Sequence, residues 1–153
     1  MQIQINGSLR SCDVPENTKA LFVLRNDLGL VGVKMGCAQG HCGSCTVLVD
    51  GAPMTTCDLP LWALQGKSVL TPEGVGTPGH PHPVQQALLD EQPGQCGYCL
   101  SGIMMTAVAL TERQPAPSEQ EVRAALDKHL CRCGSHPRIV KAVMKSIQTG
   151  SAA

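Results

Sequence analysis

The stretch Gly36-Cys37-Ala38-Gln39-Gly40-His41-Cys42-Gly43-Ser44-Cys45-Thr46-Val47 decides how the chain is read. Three cysteines stand at C-x4-C-x2-C spacing among three glycines, and a β-branched run begins directly after them. Glycine at 36, 40 and 43 admits backbone angles that other residues avoid, so this segment is a loop shaped for close main-chain approach. On its C-terminal side Asp50-Gly51 turns the chain back into Ala52 to Cys57, which predicts a hairpin whose returning arm ends in a fourth cysteine. On its N-terminal side Ile3 and Ile5 alternate with polar residues, Asn6-Gly7 forms a type I′ turn, and Ser8 to Val14 returns as a second strand. Between the two hairpins Leu21, Leu24 and Leu28 share one face of a helix predicted over Thr18 to Leu28, with Gly29 as its stop. With a short strand over Lys67 to Thr71, these elements predict strands wrapped around one helix, an α+β arrangement of the β-grasp kind.

Pro72 to Pro83 holds three Gly and four Pro in twelve residues and carries neither a helix nor an inner strand. We therefore divide the chain into a first domain over 1–75, a linker over 76–83 and a helical domain over 84–153. Helical signals cover Val84 to Glu91 behind Pro83, Gly102 to Arg113, Glu119 to Leu130 and Arg138 to Thr149, which together predict a small four-helix bundle. Ser118 and Glu121 make a capping box ahead of Val122, Ala125, Leu126 and Leu130. The closing Ser-Ala-Ala is expected to fray.

Composition narrows the function. Nine cysteines stand beside only three aromatic residues, Phe22, Trp62 and Tyr98, so the core is short of its largest apolar side chains and something besides burial helps to hold the chain. Twelve basic and twelve acidic side chains cancel, which argues against a nucleic-acid or anionic-membrane surface. No apolar run approaches the roughly 20 residues of a membrane span. The N-terminus shows neither a secretory signal nor a twin-arginine pair, so the expected location is cytoplasmic, any export depending on a partner's signal. In a reducing compartment an odd number of closely spaced cysteines favours metal ligation over disulfides.

Cys37, Cys42 and Cys45, with Cys57 after eleven intervening residues, have the plant-type [2Fe-2S] spacing. Four thiolates must converge on two irons while small residues let N–H groups approach the sulfur. A structural zinc site would prefer C-x2-C knuckles and gives no reason for x4 with this many glycines. Cys96 and Cys99 form C-x2-C, and Cys131 and Cys133 form C-x-C, each pair at an end of a predicted helix. Antiparallel neighbours would bring the pairs together as a second four-thiolate site, where zinc stays open as an alternative on ligand type. Cys12 reads as a small buried hydrophobe. His80 and His82 read as solvated linker residues, His129 as a charged partner of a helix end, and His41 as a spare donor. Ser44 and Ser101 have no adjacent base, and no phosphate-binding loop is present. The chain has no substrate site of its own and carries electrons.

The quoted stretch, Cys57, Gln95-Cys96-Gly97-Tyr98-Cys99 and Cys131-Arg132-Cys133 together resemble the small iron–sulfur subunit of the molybdenum hydroxylases, the xanthine dehydrogenase and aldehyde oxidoreductase family, over about residues 1 to 149. The resemblance implies a plant-type ferredoxin-like [2Fe-2S] domain followed by a four-helix-bundle [2Fe-2S] domain. It implies that Cys37, Cys42, Cys45 and Cys57 hold an outer cluster, and Cys96, Cys99, Cys131 and Cys133 an inner one beside a molybdopterin in a large catalytic partner subunit. Gln95 would hydrogen-bond the pterin and Cys133 would approach it closely. Gly134-Ser135-His136-Pro137-Arg138-Ile139 after the C-x-C is similar to the isoquinoline and nicotinate dehydrogenase type, which implies a cytochrome or another external acceptor in place of a flavoprotein subunit. The partner would hydroxylate an N-heteroaromatic such as nicotinate or isoquinoline, or an aldehyde, with water as oxygen donor. The alternative is a free-standing ferredoxin-like carrier, for which the balanced charge supplies little steering. Lys34, Arg132 and Arg138 are candidate cations near the clusters.

Overall fold

The computed structural model describes residues 1–150; Ser151 to Ala153, expected to fray, lie outside them. The first hairpin pairs β1 (Gln2–Ile5) with β2 (Ser8–Ser11) through Asn6 and Gly7, both at positive φ as a type I′ turn requires. Asn6 also ties this turn to Thr71: its amide accepts from the Thr71 N–H at 2.9 Å and donates to the Thr71 hydroxyl at 2.9 Å. The second hairpin pairs β3 (Thr46–Val49) with β4 (Ala52–Thr55), shorter than the arm expected to reach Cys57. With β5 (Ser68–Leu70) between them, parallel to β1 and antiparallel to β3, the five strands form one mixed sheet in the order β2-β1-β5-β3-β4.

The helix expected over Thr18 to Leu28 is shorter and mixed. Thr18 closes a turn on the Pro15 carbonyl and Lys19 is extended and bridged to Pro60, with Ala20 donating to the Leu59 carbonyl and Leu61 to the Thr18 carbonyl. Only Ala20–Phe22 is α-helical, as α1, and it widens into a π-helical turn over Val23–Asp27 closed by Leu28 N–H on the Val23 carbonyl. Leu21 and Leu24 face the sheet as the spacing required.

Four helices follow: α2 (Pro83–Glu91), α3 (Leu100–Thr111), α4 (Glu119–Leu126) and α5 (His136–Gly150). His82 is not simply solvated, because its Nδ1 accepts from the Val84 N–H at 3.2 Å and caps α2; His80 is exposed. The Ser118–Glu121 capping box is formed. Helix α4 stops four residues short of the expected Leu130. His129 N–H closes a tighter turn on the Leu126 carbonyl, and Leu130 N–H leaves the helix for the Cys42 carbonyl at 3.0 Å. Leu130 is accordingly 64% exposed and not part of the apolar face.

Strand β3 is buried at every position. Side chains alternate across a strand, and here both faces are covered: Val47 and Val49 join the core under α1, while Leu48 joins the helical core with Ile103, Val108 and Val140. Leu70 follows the same division beside Val69. The helical half is thus packed through α3 onto the free face of the sheet. Gly102 makes the closest approach, since a β-carbon there would overlap the Gly43 carbonyl.

His129 seals the same seam. It is 4% exposed, its Nε2 lies 2.8 Å from the Thr106 hydroxyl, and its carbonyl lies 2.8 Å from His136 Nε2. Burial, with the His136 and Lys128 charges adding, pushes the imidazole down to about 4, so it is neutral and not the charged partner of a helix end that its position suggested.

Two outcomes follow from this packing. Gly102→Ala forces the α3–loop contact apart and should cost about 1–3 kcal/mol in chemical denaturation; an unchanged midpoint would contradict the close contact. His129 stays neutral in the folded chain to about pH 4, whereas in the unfolded chain it takes up a proton below about 6.5. The unfolded state then binds more protons across that window. Stability should be fully present above it and fall by up to about 3 kcal/mol as pH drops through it, and His129→Asn should remove that part of the slope.

Candidate metal centres

The outer loop is built from both ends. Before it, the Arg25 guanidinium donates to the Val31 and Val33 carbonyls at 2.9 and 2.6 Å, which folds the approach segment back on the π-helical turn. After it, β3 carries Cys45 into the core and the Thr56 hydroxyl donates to the Cys45 carbonyl at 2.9 Å, fixing Cys57 beside it. Within the loop Ala38, Gly40 and Gly43 have positive φ, which turns successive N–H groups inward. Cys37 Sγ accepts from the N–H groups of Gln39, His41 and Cys42 at 3.4, 3.3 and 3.3 Å; Cys42 Sγ accepts from Cys37 and Cys57 Sγ from Gly40 at 3.3 and 3.1 Å. The Gln39 N–H above all draws the Cys37 thiol down to about 6. Burial pushes Cys57 up to about 12, against the Gly40 N–H.

The second set lies where α3 and α5 begin. Cys99 is the N-cap residue of α3, and Cys96 precedes it through a turn at Gly97, φ +77°. Cys131 and Cys133 occupy the loop before α5, turned by Gly134, φ +69°. Ser135 N–H reaches Cys131 Sγ at 3.4 Å, Cys133 Sγ lies 3.5 Å from Cys96 Sγ, and Gln95 Nε2 donates to the Cys133 carbonyl at 3.3 Å. Burial raises the Cys99 thiol to about 12; the Tyr98 N–H lowers Cys96. Deprotonating such buried thiols needs the positive charge of a metal.

The eight sulfurs close up two by two: Cys37 with Cys42, Cys45 with Cys57, Cys96 with Cys133, and Cys99 with Cys131. Among the described residues no three Cys, His, Asp or Glu side chains gather closely enough to hold one metal ion. Paired sulfurs, four to a site, suit a two-iron cluster, in which each iron takes two protein ligands. The residues present therefore fit two [2Fe-2S] clusters. Cys12 lies in the core of the first half, its thiol raised by burial, apart from both sets.

The cysteine spacing marks both sulfur sets but carries no trace of the contacts that bind the two loops together. The Tyr98 hydroxyl donates to the Met35 carbonyl at 2.6 Å, and the Ser101 hydroxyl to the Gly32 carbonyl. Both join the start of α3 to the segment before Cys37. Arg25, Thr106 and His129 gave no motif signal either, because their partners are main-chain atoms or distant in sequence. Lys34 is half-buried, Arg132 exposed, and Arg138 reaches the Ser135 hydroxyl at 3.4 Å.

Residues 3–69 match the 2Fe-2S iron-sulfur cluster binding domain and residues 71–144 the [2Fe-2S] binding domain. The chain is 46% identical over 149 residues to one of the subunits of nicotinate dehydrogenase from Pseudomonas putida, covering 97% of this chain and 95% of that one. It is 43% identical over 143 residues to the alpha subunit of isoquinoline 1-oxidoreductase from Brevundimonas diminuta, covering 93% of each. Among solved structures it resembles quinoline 2-oxidoreductase from Pseudomonas putida 86, with a TM-score of 0.92, 34% identity and coverage of 100% of this chain and 96% of that one. It also resembles aldehyde oxidoreductase from Desulfovibrio gigas, with a TM-score of 0.93 and 34% identity over 99% of this chain and 17% of that one. Two cluster-binding domains in the order the cysteine spacings required, matched along nearly the whole length of the first three of these relatives, make the chain a member of the small iron–sulfur subunits of the molybdenum hydroxylases.

Proposed function

We propose that Cys37, Cys42, Cys45 and Cys57 hold an outer [2Fe-2S] cluster and Cys96, Cys99, Cys131 and Cys133 an inner one, within domains at 1–75 and 84–153 joined by 76–83. We read α2 to α5 as the four-helix bundle of the second domain. Each cluster, when bound, takes up and releases one electron at a time. The chain thereby passes electrons from a molybdopterin in a large catalytic partner to an external acceptor, a cytochrome in preference to a flavoprotein. The partner hydroxylates an N-heteroaromatic of the nicotinate or isoquinoline kind, as the names of the relatives suggest, or an aldehyde.

The observation that carries this reading is the state of the second sulfur set. Cys96 is exposed, and so are large apolar side chains on the segments that carry or adjoin this set: Tyr98 between Cys96 and Cys99 at 48%, Leu130 beside Cys131 at 64%, and Met35, whose carbonyl takes the Tyr98 hydroxyl, at 45%. Aromatic and methionine side chains at a surface favour a protein interface, and a thiolate set open to water on that side needs a partner to seal it. Gln95 lies at the same rim, its amide on the Cys133 carbonyl, where a pterin edge held by the partner could take over that hydrogen bond. Half of the first set, Cys45 and Cys57, is buried, and none of its four cysteines is exposed. The chain's residues thus orient one sulfur set toward the partner and link it to the other.

Cys133→Ser should abolish one of two paramagnetic signals of the reduced chain and stop turnover of the complex, leaving the other signal intact; retention of both signals would refute the ligand assignment. Leu130→Arg should weaken capture of the large molybdopterin subunit by about tenfold or more, the range of a central interface residue. Binding at wild-type strength would remove Leu130 from the interface.

A further inference from the structure

The two cysteine loops meet at one main-chain contact. Leu130 N–H donates to the Cys42 carbonyl at 3.0 Å, and among the described residues no other main-chain hydrogen bond joins the two loops. Cys42 belongs to the first sulfur set, and a single peptide bond links Leu130 to Cys131 of the second. Covalent structure and this one hydrogen bond therefore connect ligand to ligand across the seam between the domains. Nothing in Leu130 itself secures the contact, because its side chain is exposed and the segment from Asp127 to Ser135 lies outside the helices and strands.

The preceding residue secures it. His129 is buried between exposed neighbours Lys128 and Leu130. Its Nε2 meets the Thr106 hydroxyl of α3 at 2.8 Å, its N–H holds the Leu126 carbonyl at 2.9 Å, and its carbonyl meets His136 Nε2 at 2.8 Å. The ring rests on Gly43, the residue after Cys42, so closely that a β-carbon there would overlap Nδ1, while Gly102 closes on the Gly43 carbonyl. Gly43 is clasped between the ring and α3. Nδ1 lies directly against the Gly43 main chain, which partly offsets the burial of the ring. What the ring supplies is registry, because it touches the outer loop, α3 and the inner loop at once.

We propose that His129 is a positioning residue for electron transfer, holding the two cysteine loops in the register that makes Leu130 N–H to Cys42 C=O the through-bond link between the two ligand sets. The inference rests on the reading of both sets as [2Fe-2S] ligands. The step it serves moves one electron, oxidising the Cys131 site and reducing the Cys42 site by one equivalent each. No bond is made or broken, no proton moves, and His129 is unchanged.

The test uses the full chain with both clusters in place, and compares wild type with His129→Ala, Thr106→Val and Thr106→Ser. Electron paramagnetic resonance reads the amount of each reduced cluster and the magnetic interaction between them. Rapid-freeze sampling after a pulse of reductant reads the rate at which the electron redistributes. His129→Ala and Thr106→Val should keep both signals at full intensity, weaken the interaction and slow redistribution by about tenfold or more, as small misplacements do in preorganised sites. Thr106→Ser keeps the hydroxyl and should restore wild-type behaviour. If His129→Ala does not fold, Thr106→Val, close in shape to threonine, carries the comparison. Two intact signals with unchanged interaction and rate in Thr106→Val would overturn the positioning role alone. Fewer than two signals in wild type would overturn the ligand reading beneath it and the proposal with it.

Discussion

Strand β3 must be covered on both faces, and most of the architecture follows from that requirement. Val47 and Val49 satisfy one face with the core under α1; Leu48 leaves an apolar contact on the other that only a second layer can bury. Helix α3 supplies it. The same helix begins at Cys99, and the loop that leads into β3 contains Cys37, Cys42 and Cys45. Packing two apolar surfaces therefore also brings the start of α3 and the outer loop together, and Tyr98, Ser101 and Gly102 complete the join with contacts to Met35, Gly32 and Gly43. In this chain the hydrophobic layer and the distance between redox sites are set by the same strand.

Electrostatics explains why the loops look as they do. An oxidised [2Fe-2S] cluster with four thiolates carries a formal charge of about −2, and the chain has no surplus of basic residues to neutralise it. The main chain answers instead. Positive-φ residues at Ala38, Gly40 and Gly43 turn N–H groups toward Cys37 and Cys57, and Gly134 allows Ser135 to do the same for Cys131. Such donors stabilise thiolate, as the lowered Cys37 thiol already shows, and they tune the potential of a cluster bound there. Lysine or arginine in their place would need more room than the loop leaves beside Gly36, whose missing β-carbon makes space for Cys42 Sγ.

The features legible in the sequence were those encoded by neighbours in the chain. Cysteine spacing, the Asn6-Gly7 and Asp50-Gly51 turns, the Ser118 capping box and the change of character after Pro72 all act over a few residues. Long-range partners stayed hidden. Thr18 and Lys19 have helical spacing, and yet the helix begins only at Ala20, because the Leu59–Leu61 segment takes the Ala20 N–H and the Thr18 carbonyl. Leu130 continues the apolar period of α4, but Cys42 claims its N–H and its side chain faces outward. His129 was misread for a related reason: its environment is made by Gly43 and Thr106, far away in sequence, and burial there outweighs the helix-end dipole that a local reading invokes.

The central claim is that eight sulfurs, paired two by two, bind iron as two separate two-iron units. Mössbauer spectroscopy of the oxidised chain, enriched in iron-57 and prepared without oxygen, addresses it directly. The account predicts that all bound iron appears as diamagnetic ferric quadrupole doublets of sulfur-coordinated pairs, shared equally between two sites. Iron in a single site, or zinc occupying either cysteine set without acid-labile sulfide, would contradict it.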